Sequence, residues 1–224
     1  MAPPDATSTI WDRVGAAGGI LSLLFSIGGF ALIGAAGFGL GPEPSRADVA
    51  EAVRDGQSGL ALTGLYLDTI GSLFFIAFAT RLWALLARAG SAPSWLPLAA
   101  LVAAATAVTA GMGDKAAFYA IFTRADDGLA VDSATTLYDT ASGFFALFRV
   151  FGGFFVLVAS LAALSAVALP RWLSWVGLVV GAASILSGVA PNSDAAQLTF
   201  PLVALWIVAV SVVMLRRPLG QEQR

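Results

Sequence analysis

Asp68 and Arg149 are charged residues set well inside long apolar runs, and buried charge of that kind is where binding or proton chemistry is expected first. Each lies about eight residues in from the nearer end of its run, roughly 12 Å deep at about 1.5 Å of rise per residue. An unpaired charge at the centre of a membrane helix costs on the order of 2.5–3.5 kcal/mol on insertion scales. Opposite charges at matched depth are therefore expected to pair. Such a pair serves either as an ionic element lining a ligand or ion path, or as a bridge that fixes helix packing.

Further polar groups gather towards the same end of the apolar runs. Tyr66 precedes Asp68 on the same run, Asp114, Lys115 and Tyr119 lie at the outer end of the third, and Asp139 precedes the fourth. Asn192, Asp194 and Gln197 occupy the turn between the last two. Together with Arg149 these residues are candidates for one outward-facing pocket, in which a carboxylate could take part in proton exchange or acid catalysis. Asp139, Ser142, Ala146, Arg149, Gly153 and Ser160 recur at helical spacing, with phenylalanines crowding the remainder of that helix. That narrow stripe is expected to face protein or a water-lined cavity, not lipid.

Composition defines the elements that must carry these residues. Apolar residues make up 58% of the chain and charged residues 12%, against roughly 45–50% and about 25% in soluble domains. A bilayer core requires about 20 mostly apolar residues per helix. Such spans are expected over 14–40, 60–86, 95–113, 141–169, 172–190 and 198–215, all within a single integral-membrane domain, 1–224. The fold class is all-α, a six-helix transmembrane bundle.

The same composition narrows the chemistry. The chain has no Cys and no His, which removes thiol catalysis, imidazole bases, thiolate metal sites, haem ligation by histidine and most zinc sites, and no cofactor or metal is expected. A net charge of −2 gives no basic field for nucleic acid. Asp48, Glu51 and Asp55, and separately Asp126, Asp127 and Asp132, read as solvated acidic faces because no calcium-loop spacing is present. No phosphate-binding glycine loop or nucleophile elbow occurs.

Basic residues sort to alternate ends of the runs. Arg13, Arg81, Arg88, Arg171, Arg216, Arg217 and Arg224 share one side, and Arg46, Arg54, Lys115 and Arg124 the other. The positive-inside rule then places both termini in the cytoplasm, N-in and C-in. Trp11, Trp83, Trp95, Trp172 and Trp175 flank the same cytoplasmic ends. Pro42, Pro44, Pro93, Pro97, Pro170, Pro191, Pro201 and Pro218 lie outside spans or in a first turn, which predicts unbroken helices. Ser45 is expected to cap a short surface helix closed by Gly56, and Ser133 to cap the fourth span.

Small-residue spacings, Gly15/Gly19 and Gly177/Gly181, allow close helix contact and offer faces for homo-oligomers. The pairs Gly28-Gly29 and Gly152-Gly153 and the openings Pro97-Leu98-Ala99-Ala100-Leu101 and Pro201-Leu202-Val203-Ala204-Leu205 are compatible with a three-plus-three inverted repeat. The second and fifth spans show no such likeness.

The segment Pro170-Arg171-Trp172-Leu173-Ser174-Trp175-Val176-Gly177-Leu178-Val179-Val180-Gly181 resembles one found in small multi-pass bacterial membrane proteins of unknown function. That resemblance implies a helical bundle of unassigned function and carries over no catalytic residues; the excess of arginine over lysine, with many Ala and Gly, adds the expectation of a bacterial plasma membrane. The residues themselves favour a membrane protein that binds a small or lipidic ligand, or a partner helix, in an outward-facing pocket. A small transporter, proton-coupled through Asp68, and an integral-membrane enzyme using carboxylates on an apolar substrate are the alternatives.

Overall fold

The computed structural model describes residues 6–40, 44–90, 93–189 and 193–216. Pro42, Pro191, Asn192, Arg217, Pro218 and Arg224 lie outside them. The described residues form helices and connecting turns, with no strand. These are α1 (Ala6–Ile33), continued by a wider turn over Gly34–Phe38, α2 (Arg46–Asp55), α3 (Ser58–Arg88), α4 (Trp95–Arg124), α5 (Val131–Ala166), α6 (Arg171–Leu186) and α7 (Asp194–Arg216). Six of them, all but α2, are long and apolar enough to cross a membrane, so the chain has the build of a multi-pass membrane protein.

Hydrocarbon offers backbone and hydroxyl groups no water, so they must be satisfied within the helix. The exposed hydroxyls of Thr80, Thr106 and Thr109 accordingly donate to the carbonyls of Ile76, Val102 and Ala105, one turn back, at 2.8–2.9 Å.

Two spans depart from expectation in length. α4 does not stop near residue 113 but runs on to Arg124, and α5 begins at Val131. The dip in hydropathy at Gly113-Asp114-Lys115 is therefore interior to a helix. Ser133 does not cap α5, whose N-cap position is Ala130 with no side-chain bond.

One proline and one glycine depart from expectation, although α7 itself runs unbroken through its proline. α7 starts early enough that Pro201 lies inside it. The end of α1 is broken at Gly37, whose φ of 89° is readily available only to glycine.

α2 forms as expected. The Ser45 hydroxyl accepts from the Asp48 N–H at 3.2 Å, and the Asp48 carboxylate accepts from the Ser45 N–H at 2.8 Å. The Ser45 hydroxyl, and then its backbone N–H, hold the Asp48 carboxyl below its usual range.

Neighbouring spans run antiparallel and meet at glycines. A Cβ on Gly29 would stand 2.5 Å from the Gly64 carbonyl oxygen, so α1 and α3 touch backbone to backbone. A Cβ on Gly153 would stand 2.9 Å from the Gly181 carbonyl oxygen and 2.6 Å from the Ser184 Cβ, giving α5 and α6 the same crossing. The second glycine of each central pair is thus used alike in the two halves. The partner glycines lie on α3 and α6, the helices whose sequences show no likeness. Gly15, Gly19, Gly177 and Gly181 all face the chain's own helices, so these faces are occupied within the bundle.

Packing divides the bundle along its length. In the half bearing Trp95 and Trp172, Phe78, Leu82, Leu86, Phe155, Val156 and Trp206 close into one core. There the Trp206 indole donates to the Leu173 carbonyl at 3.0 Å. In the half beneath α2, Phe38, Phe122 and Tyr138 form a second, smaller cluster, and the Tyr138 hydroxyl donates to the Leu40 carbonyl at 3.2 Å. Between the two clusters the helices part around a cavity.

Gly153→Ala should lower stability by about 1–3 kcal/mol, because the methyl meets backbone atoms of α6 that cannot move aside. Gly143→Ala, where nothing lies within 4 Å of the added Cβ, is the neutral control. Reversible unfolding in bicelles measures both. Equal stability for the two variants would contradict the α5–α6 crossing.

Candidate functional site

The site is built on α1, α3, α4 and α5. Because α1 and α3 approach to backbone contact at Gly29, Ser26 comes within reach of Asp68. The Ser26 hydroxyl donates to one Asp68 oxygen at 2.5 Å. The Lys115 ammonium sits 2.7 Å from the other. The ion pair of Asp68 is therefore with Lys115, not with Arg149 as depth matching suggested. The difference lies in α4: since that helix extends to Arg124, Lys115 lies nine residues below its end, roughly 14 Å at about 1.5 Å per residue. Asp68 lies ten residues below the start of α3, at a matching level.

Arg149 is buried on α5, with its guanidinium carbon 5.3 Å from the centre of the Phe145 ring. Its backbone carbonyl accepts from the Ser184 hydroxyl at 2.9 Å, which ties this turn of α5 to α6. Asp114 is also buried, at 8% exposure. Among the described residues no group donates a hydrogen bond to its carboxylate, and no cation pairs with it.

These four charged residues line a common space. A chamber of ≈ 380 Å³ lies towards the α2 end, walled by Phe30, Phe38, Phe118, Tyr138 and Phe145 among others. A narrower one of ≈ 90 Å³ continues towards the packed core, past Ser22, Ser26, Ser72 and Ser184. Asp68, Asp114, Arg149, Phe30 and Phe145 line both, so the charges sit where the two chambers join. Lys115 lines the narrower one.

The candidates divide cleanly by position. Asp68, Asp114, Lys115 and Arg149 converge, and Ser142 and Gln197 line the larger chamber with them. Tyr66, 69% exposed, and Tyr119, 57% exposed, lie on the outside of the bundle, and Asp139 is exposed as well. Their sequence neighbours line the chamber instead: Leu65 rather than Tyr66, Phe118 rather than Tyr119, and Tyr138 rather than Asp139. Ser26 was not among the candidates. Its spacing of four from Ser22, on the face that also carries Gly29, is the signal that points to it.

The acidic loop residues have partners of their own. Asp132 pairs with Arg46 at 2.7 Å, and Asp126 accepts from Ser58 at 3.1 Å. Chemically the chamber offers two carboxylates, an ammonium and a guanidinium in an aromatic enclosure. That set suits binding or proton movement.

Lys115→Met leaves the Asp68 charge in a low-dielectric site and should cost about 3–5 kcal/mol. Asp68→Asn strands the lysine in the same way. The double variant Asp68→Asn/Lys115→Met should be more stable than either single one, as unfolding in bicelles would show. Strict additivity would contradict the pair. No family model, no curated protein and no solved structure matches the chain.

Proposed function

We propose that this chain is a multi-pass protein of a bacterial plasma membrane, with both termini in the cytoplasm, that binds a small amphiphilic or lipidic ligand in an outward-facing chamber. One observation carries the reading: charged side chains from α3, α4 and α5 converge on a space whose other walls are mostly apolar, with Phe30, Phe38, Phe118, Tyr138 and Phe145 around its larger part. Burying charge beside an apolar enclosure is costly, intramembrane charges are functional candidates for that reason, and ligand sites combine apolar walls with a few placed polar groups. The chamber has the volume of a small molecule or a lipid head, not of a partner helix. The orientation rests on the arginine and tryptophan distribution, which puts the α2 end, and with it the larger chamber, outside.

Transport is the second reading. It is favoured by the glycine crossings repeated at Gly29–Gly64 and Gly153–Gly181, and by a chamber closed at one end by the packed core.

Native mass spectrometry of gently purified protein tests the binding function. The wild type should carry a stoichiometric bound species. Ser142→Trp, which extends a bulky ring from the wall of the larger chamber, should lose it while remaining folded. Bare protein masses for both would contradict the proposal.

A further inference from the structure

We infer that the ligand of this chamber carries an ammonium group and that Asp114 is its counter-ion; this rests on the binding function proposed above. The two carboxylates at the junction are not equivalent. Asp68 is complete, with Lys115 on one oxygen and Ser26 on the other. Asp114 is as deeply buried and lines both chambers, yet among the described residues no hydrogen-bond donor reaches its carboxylate and no cation forms an ion pair with it, the Lys115 charge acting on it only from beyond pairing distance. A carboxylate removed from water and left without a partner is among the costliest arrangements in a protein. A cation arriving from the chamber would complete it. The nearest cation in sequence, Lys115, is already committed to Asp68.

The walls fit the same occupant. Phe118 lies one turn beyond Asp114 on the same face of α4, and its ring meets Tyr138 edge-on at a centroid distance of 5.6 Å. With Phe145 and Phe30 these rings surround the larger chamber. Aromatic faces beside a carboxylate are how proteins hold organic cations, the ring quadrupole adding to the ion pair. The apolar remainder of such a ligand would lie along the same rings. Arg149 also lines the chamber and marks the rival specificity, an anionic ligand held by the guanidinium. Its stacking over Phe145 already gives that cation an aromatic partner.

A matched set of probes decides between them: phenethylammonium, 3-phenylpropionate and 3-phenylpropanol, which share a phenyl group and a short chain but differ in charge. Binding would be measured by calorimetry on the full chain in nanodiscs. Phenethylammonium should bind the wild type most tightly, and Asp114→Asn should weaken it by about tenfold or more while leaving the alcohol unchanged. A second measurement needs no variant. Dicyclohexylcarbodiimide, an apolar carboxyl reagent, should modify Asp114 of the wild type, as peptide mass mapping would show. Phenethylammonium should slow that modification and 3-phenylpropionate should not.

Tighter binding of the anion or the alcohol, or cation binding that neither depends on Asp114 nor protects it, would overturn the inference and leave the chamber as a ligand site. Failure of all three probes to bind the wild type would overturn the binding function with it.

Discussion

The ion pair between Asp68 and Lys115 ties together α3 and α4, and Ser26 draws in α1. Each charge alone would oppose insertion of its helix into hydrocarbon, so the two helices are stable there only when their registers bring the charges together. That requirement fixes the depth of α4 against α3. It also explains why α4 must remain helical through Gly113-Asp114-Lys115, where its hydropathy falls. A break at that point would release the lysine to the membrane surface and leave Asp68 without a cation.

Glycine and phenylalanine then divide the bundle into its closed and open parts. Where glycines face carbonyls, at Gly29–Gly64 and Gly153–Gly181, backbones touch and no space remains. At the level of Asp68 and Arg149, phenylalanines hold the helices apart but do not fill the gap, because their rings stand along the walls. Below that level Phe155 and Trp206 meet edge to face and the core shuts. A chamber of fixed depth, with its charges at the narrowing, follows from this sequence of contacts. The serine hydroxyls beyond the narrowing, Ser22, Ser26 and Ser72, continue the polar lining without adding charge.

Much of this was legible in the residues. Long apolar runs predict spanning helices directly, and Ser45 with Asp48 three residues on is a capping pair recognisable by eye. The charged members of the site were legible too, because charge inside a span is rare enough to stand out. Their pairing was not. Hydropathy ended the third span near residue 113, which lifted Lys115 towards the surface and left Arg149 as the apparent partner of Asp68. Only the continuous α4 helix restores the lysine to its depth.

Which aromatics line the chamber is hidden in the sequence for a different reason. Phe118 and Tyr119 are adjacent, as are Tyr138 and Asp139, and neighbouring residues on a helix point about 100° apart. Near span ends lipid, headgroup and protein faces all accept aromatics, so residue type does not say which of two neighbours turns inward. Tertiary packing decides that: Tyr138 turns in to bond the Leu40 carbonyl, while Tyr119 stays outside. Interior glycines speak only in part: the Gly177/Gly181 spacing signals close helix contact but does not name the partner. The crossings at Gly64 and Gly181 emerge only once α1 and α5 are placed against them.

Lys115 is the chain's single lysine, which makes the central pair directly observable. Protein labelled with ¹⁵N at the lysine side chain and held in nanodiscs should give one ammonium resonance, in slow exchange with water, that shifts and exchanges faster in Asp68→Asn. A resonance already in rapid exchange in the wild type and indifferent to Asp68→Asn would contradict a buried Asp68–Lys115 pair, and with it the register that builds the chamber.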